Sequence, residues 1–152
     1  MIATVSWNVQ NSMVLRFFPI FLASCLQLSG SLVLYIQGNE TSFDFRLGVT
    51  SEIKFYVNDE NHDGKEVRIS VSHRPEDTKT SHMKCILTQS ATGCNTTSDI
   101  CICPEHNSSR NVFSLKKTFL QTDTGVWRFQ SFSHCNESKI VKVKVHGASF
   151  II

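Results

Sequence analysis

Six cysteines, six histidines and one acidic loop hold the side chains of this 152-residue chain that could do chemistry. Cys25 falls in an apolar N-terminal segment; the other five are Cys85, Cys94, Cys101, Cys103 and Cys135. In an oxidising compartment cysteines pair, so five leave one thiol free or bridging to another chain, and fifteen connectivities satisfy that count. Cys101-Ile102-Cys103 has the i, i+2 spacing that puts two side chains on one face of a strand, from which each reaches a separate partner. Structural zinc would need C-x-x-C pairs or histidines at ligand spacing, and the sequence has neither, so disulfides are expected and a metal is not. Asp59-Glu60-Asn61-His62-Asp63-Gly64 matches the opening of a calcium-binding loop, with oxygens from Asp59, Asn61 and Asp63. The match then stops: position twelve is Ser70 where a bidentate Glu is required, and both flanks read as strands, so turn chemistry accounts for the same letters.

Catalysis would need a constellation that is missing. His62, His73, His82, His106, His134 and His146 stand in polar or loop contexts without a nucleophile elbow, a zinc helix or a phosphate loop. His134 adjoins Cys135, but neighbours in a strand point to opposite faces and cannot act together on one substrate atom. A non-enzymatic protein without a cofactor is expected.

What must position these residues begins with the compartment. From Met13 the chain reads MVLRFFPIFLASCLQLSGS: Arg16 gives a positive start, Phe17 to Leu28 an apolar run, and Ser29-Gly30-Ser31 a small-residue exit. Residues 1–31 read as a secretory signal region, since the run is shorter than the roughly 20 residues of a spanning helix and contains Pro19. The alternative is a cell-surface chain held by an uncleaved leader. Four N-x-[ST] sequons, at Asn39, Asn95, Asn107 and Asn136, fit the same export route and mark surface positions. Without the leader, 14 basic and 13 acidic residues remain, a balance that excludes nucleic acid and an electrostatic membrane anchor. The tail, 148–152, is too short to span a membrane.

Between these ends the dominant period is two. Phe43, Phe45 and Leu47 alternate with polar residues, as do Ile53, Phe55 and Val57, then Val67, Ile69 and Val71, and last Val141, Val143 and Val145 with Lys142 and Lys144 facing solvent. Further strands are expected over Leu32 to Ile36, Met83 to Thr88, Asp99 to Cys103, Val112 to Phe119 and Gly125 to Phe132. Turns are expected at Asn58 to Gly64, Pro75 to Thr80, Gly93 to Thr97, Pro104 to Ser109 and Asp123 to Gly125. No stretch keeps a helical period. The fold class is all-β, an antiparallel sandwich or barrel in one domain over residues 32–147.

Asp123-Thr124-Gly125-Val126-Trp127-Arg128-Phe129 resembles the D-x-G-x-Y-x-C segment that enters strand F of immunoglobulin-superfamily domains. Trp127 takes the tyrosine place and Phe129 the cysteine place. Val49 to Phe55 resembles strand B, with Phe55 at its cysteine position, and Val112 to Phe119 resembles strand E. The resemblance implies a core pin of rings, Phe55 and Phe129 beside Trp127, where the family has a disulfide. It also places Cys85, Cys94, Cys101 and Cys103 in the C′ to D region, stapling an excursion there, and Cys135 just past strand F, where it could tie the F–G loop to that excursion. The function implied is a secreted or ectodomain-type recognition module that binds an extracellular protein or glycan, with the odd cysteine available for a disulfide-linked dimer. A disulfide-stabilised inhibitor or effector, presenting Gly93 to Asp99 as a rigid loop, is the alternative.

Overall fold

Alternation of apolar with polar residues over β-branched and aromatic runs builds ten strands in the computed structural model, which describes residues 33–58, 66–104, 112–132 and 137–147. They are β1 (Val33–Ile36), β2 (Ser42–Arg46), β3 (Thr50–Asn58), β4 (Val67–Pro75), β5 (His82–Ser90), β6 (Gly93–Thr96), β7 (Cys101–Ile102), β8 (Val112–Thr118), β9 (Gly125–Ser131) and β10 (Ser138–His146). Two sheets form, one ordered β1-β3-β8-β7 and the other β2-β10-β9-β4-β5-β6. The signal region, the calcium-like residues Asp59, Asn61 and Asp63, the sequons at Asn107 and Asn136, Cys135 and the tail lie outside the described residues.

Four expectations need correction. The sandwich is not wholly antiparallel: β2 runs parallel to β10, from Ser42 opposite Lys142 to Arg46 opposite His146. A 3-10 turn at Gln37–Asn39, with Gly38 at φ 79 and Asn39 at φ 55, passes the chain from the four-stranded sheet to the edge of the other, where it lies beside the last strand in the same direction. Leu47 falls outside β2 and is exposed, so only Phe43 and Phe45 of that trio are half-buried. Gly93 to Thr97, expected as a turn, is largely β6, hydrogen-bonded along β5. That also makes the first four residues of Gly93 to Asp99, expected as a rigid loop, an edge strand. The expected strand Asp99 to Cys103 shrinks to two residues opposite Leu115 and Ser114.

The inner faces meet over aromatic rings. Phe55 on β3 and Phe129 on β9 cross the gap with centroids 4.7 Å apart and planes tilted by 51°. Phe113 stacks on Phe55 at 5.7 Å, while Phe119 stands edge-on to Trp127 at 6.1 Å and meets Phe45 at 4.3 Å. Ile53, Leu87, Leu115, Val71 and Val141 close the spaces between them, all buried. Each such ring pair adds about 0.5–1.5 kcal/mol beyond its burial.

Disulfides join the sheets at the other flank. Cys85 on β5 is bonded to Cys101 on β7, and Cys94 on β6 to Cys103 just beyond β7. Neighbouring cysteines 101 and 103 thus serve different partners. None of these four is left to bond Cys135, so the tie between the F–G loop and this excursion does not form. The Cys85–Cys101 bridge closes 16 residues of chain, and removing a bridge of that span costs about 3 kcal/mol. The double variant Cys85→Ser/Cys101→Ser is therefore expected to unfold at clearly lower denaturant concentration, with a slope no smaller than that of the parent because the unfolded chain loses a cross-link, measured by urea titration of tryptophan fluorescence; an unchanged midpoint would refute the structural role.

Candidate binding face

Where β9 begins, the chain is locked by a compact polar knot. Gly125 has φ 141, and a Cβ there would lie 2.3 Å from the Arg74 carbonyl oxygen, so only glycine lets β9 start this close to the end of β4. Asp123, in the 3-10 turn Gln121–Asp123, accepts a hydrogen bond from the Leu120 backbone N–H at 2.8 Å and an ion pair from Lys117 Nζ at 2.6 Å. Trp127 Nε1 donates to the Asp123 carbonyl at 3.0 Å. An indole thus makes the backward bond to the backbone that a tyrosine hydroxyl makes at the corner of related sandwiches. Lys117 Nζ lies 5.6 Å above the Trp127 ring, which adds a cation–π contact.

His73 is the largest departure from sequence reasoning. Expected as a solvated side chain, it points inward from β4, is 2% exposed, and stacks on Trp127 with centroids 4.5 Å apart. Strand alternation carries it inward with Ile69 and Val71; that register is the signal that would have found it. Its Nε2 has no hydrogen-bond partner among the described residues. Burial holds its pKa below the usual 6.5; a hydrogen bond to the Thr124 backbone opposes this and the Lys84 charge reinforces it. His82 begins β5, and His146 Nε2 lies 2.9 Å from Asp44 Oδ1 at the exposed margin of β2 and β10.

The outward surface of the six-stranded sheet is the candidate interaction site. β4, β5, β9 and β10 contain no Asp or Glu, while Arg68, Arg74, Arg128, Lys142 and Lys144 project from them exposed. None of the five makes an ion pair among the described residues. One register row crosses four strands: Ile140 opposite Arg128, Arg128 opposite Ser72, and Ser72 opposite Met83. Ile140 is 47% and Met83 55% exposed. A shift in register between Val71 and Ser72 is what brings Met83 to that row, and no sequence signal announced it. The next row, Ser138, Gln130, Ser70 and Ile86, is mainly polar.

Sequence-derived sites fall around this face. Asn39 is exposed in the turn between β1 and β2, and Asn95 is exposed on the edge strand β6, so both described sequons sit at sheet margins and leave the centre open. Phe55, Phe129 and Trp127 lie at zero exposure beneath it. Beyond Arg128, a cleft of about 460 Å³ opens where the ends of β4 and β10 flank the start of β9, lined by Arg74, Glu76, Thr78, Thr124, Lys142 and Lys144.

This sheet order, with β3 and β9 in the places of strands B and F, is that of a variable-type immunoglobulin-like sandwich. Solved structures agree. The extracellular domain of the voltage-gated sodium channel beta4 subunit, described as a parallel homodimer with a role in cell-cell adhesion, superposes with a TM-score of 0.56 at 12% identity, covering 72% of this chain and 93% of that one. The swine CD8αα homodimer gives 0.53 at 15% identity over 76% and 99%, and domain 1 of VCBP3 from Branchiostoma floridae 0.52 at 15% over 76% and 97%. No protein-family profile and no curated protein sequence matches the chain. The fold is immunoglobulin-like, and at this identity the likeness establishes the fold alone.

The buried His73 sets a pH dependence. Because its folded pKa lies below 6.5, the unfolded chain takes up the proton first, and stability present above about pH 6.5 is lost as pH falls from there toward the folded pKa, with a slope of up to about 1.4 kcal/mol per unit. Melting temperature is expected to fall between pH 7.5 and 5, and His73→Gln is expected to flatten that fall; parallel pH profiles for both proteins would show His73 to be irrelevant.

Proposed function

We propose that this protein is an extracellular recognition module, exported through its N-terminal signal region and glycosylated, that binds a protein partner across the outward face of β4, β5, β9 and β10 without catalysis. The observation that carries this reading is the row Ile140–Arg128–Ser72–Met83, two exposed apolar side chains bracketing an arginine that makes no ion pair among the described residues, on the outward face of the sheet. Arginine and methionine are enriched at protein interfaces, and arginine among the residues that carry most of the binding energy. The partner face is acidic, because a cationic surface with no carboxylate in its strands repels a like-charged one. That same repulsion disfavours face-to-face pairing of two copies through this sheet. Cys135, with the other four mature cysteines bonded among themselves, is the thiol proposed to link two chains at a separate place.

Two experiments address these claims. In a binding screen of the multimerised chain against extracellular proteins, Ile140→Asp and Arg128→Glu are each expected to weaken the interaction more than about tenfold, roughly 1.4 kcal/mol or more, with melting temperature unchanged. Lys54→Gln/Lys116→Gln on the opposite sheet should leave binding within twofold; the reverse pattern, or saturable turnover of a substrate, sinks the proposal. Intact mass of the protein secreted from cells, before and after glycan removal and reduction, should show a chain starting near residue 32, glycan mass lost on deglycosylation, and a dimer that Cys135→Ser makes monomeric. An unglycosylated chain retained with reduced thiols would overturn the export reading.

A further inference from the structure

The cleft beyond Arg128 has a composition unlike the rest of the face. Val126, half-buried at the start of β9, is directly opposite Arg74 on one side and Lys142 on the other. Strand spacing sets the Arg74 and Lys142 backbones about 10 Å apart, and Lys144 about 7 Å further along β10. All three cations line the cleft of about 460 Å³, together with Thr78 and Thr124. Glu76 is the one acidic lining residue, and it makes no ion pair with Arg74, Lys142 or Lys144. The exposed apolar side chains of the face, Met83 and Ile140, are absent from the lining.

We propose that Arg74, Lys142 and Lys144 form a binding site for a sulfated polysaccharide chain. Three unpaired cations at sub-nanometre to nanometre spacing match the repeat of sulfates along such a chain, and a bidentate arginine beside two lysines suits sulfate oxygens as it does phosphate. A protein partner needs a large dehydrated anchor at its centre, and the apolar lining here is only the small side chains of Pro75, Val126 and Val143. A second copy of this chain would bring cation against cation. The proposal does not rest on the protein-recognition row, since Ile140 and Met83 lie outside the cleft, and each can fail without the other.

The test uses the full secreted chain and immobilised heparin oligosaccharide as probe. Binding at about 0.15 M salt is expected, falling as salt rises, with desulfated oligosaccharide failing to compete. Lys142→Gln/Lys144→Gln should cut affinity about tenfold or more and lower the log–log salt slope by roughly two, one released counterion per cation lost. Arg74→Lys, which keeps the charge and loses the fork, should still weaken binding several-fold while its salt slope stays within experimental error. Lys54→Gln/Lys116→Gln should change neither quantity. The proposal is overturned by no binding at that salt, by equal losses in the opposite-sheet variant, or by poly-glutamate or a DNA oligonucleotide competing as well as heparin, which would reassign the cleft to general polyanion attraction.

Discussion

Everything in this fold depends on filling the space between two sheets that no B–F disulfide holds together. Stacked sheets stand about 10 Å apart, and only large side chains span that distance without leaving voids. Phe55 and Phe129 do so at the centre, 4.7 Å apart, and Phe113, Phe119 and Trp127 extend the ring contacts in both directions. Rings give area and shape but no covalent limit on separation. The Cys85–Cys101 bond supplies that limit at the flank between β5 and β7, so covalent strength and packing strength are divided between two parts of the core.

The strand rhythm was legible because one face of each strand is buried and the other wet, which forces period two into the letters. The ring pin was legible through the resemblance alone, since nothing in spacing says which phenylalanines meet. His73 was misplaced because a histidine letter suggests solvent, whereas its register with Val71 decided its side. Gly93 to Thr97 looked like a turn because glycine, asparagine and threonine are turn residues, yet pairing with β5 and the Cys94 bond overrode that preference. Most consequential was charge: a chain with nearly equal acids and bases seemed electrically plain. Only the topology, which brings β4, β5, β9 and β10 side by side, shows that their basic residues share a surface and that none of these four strands adds a carboxylate to it.

The stiffness of that surface follows from what lies beneath it. β9 is central, hydrogen-bonded to β4 and β10 along its length, and its inward residues Trp127 and Phe129 have no exposure. Arg128 and Val126 stand between those anchors, so their backbone positions are set by the core and not by a loop. Gly125 and the Asp123 knot hold the same strand at its start. A surface whose backbone is fixed in this way has little backbone entropy left to lose in any contact made upon it.

The placement of the two disulfides also bears on how the chain behaves in a crowd. Any open sheet edge offers a row of unpaired amides and carbonyls to another molecule's strand. At this flank the edges are β6, four residues long, and β7, only two, and each contains one end of a bridge: Cys94 in β6 and Cys101 in β7. Short, covalently fastened borders cannot peel away to recruit a foreign strand. Reduction removes these fastenings, the partly buried Cys94–Cys103 bond being more open to a reductant than the buried Cys85–Cys101 bond, and leaves β6 held to β5 by backbone pairing alone, which ties the protection of this border to the redox state of its surroundings.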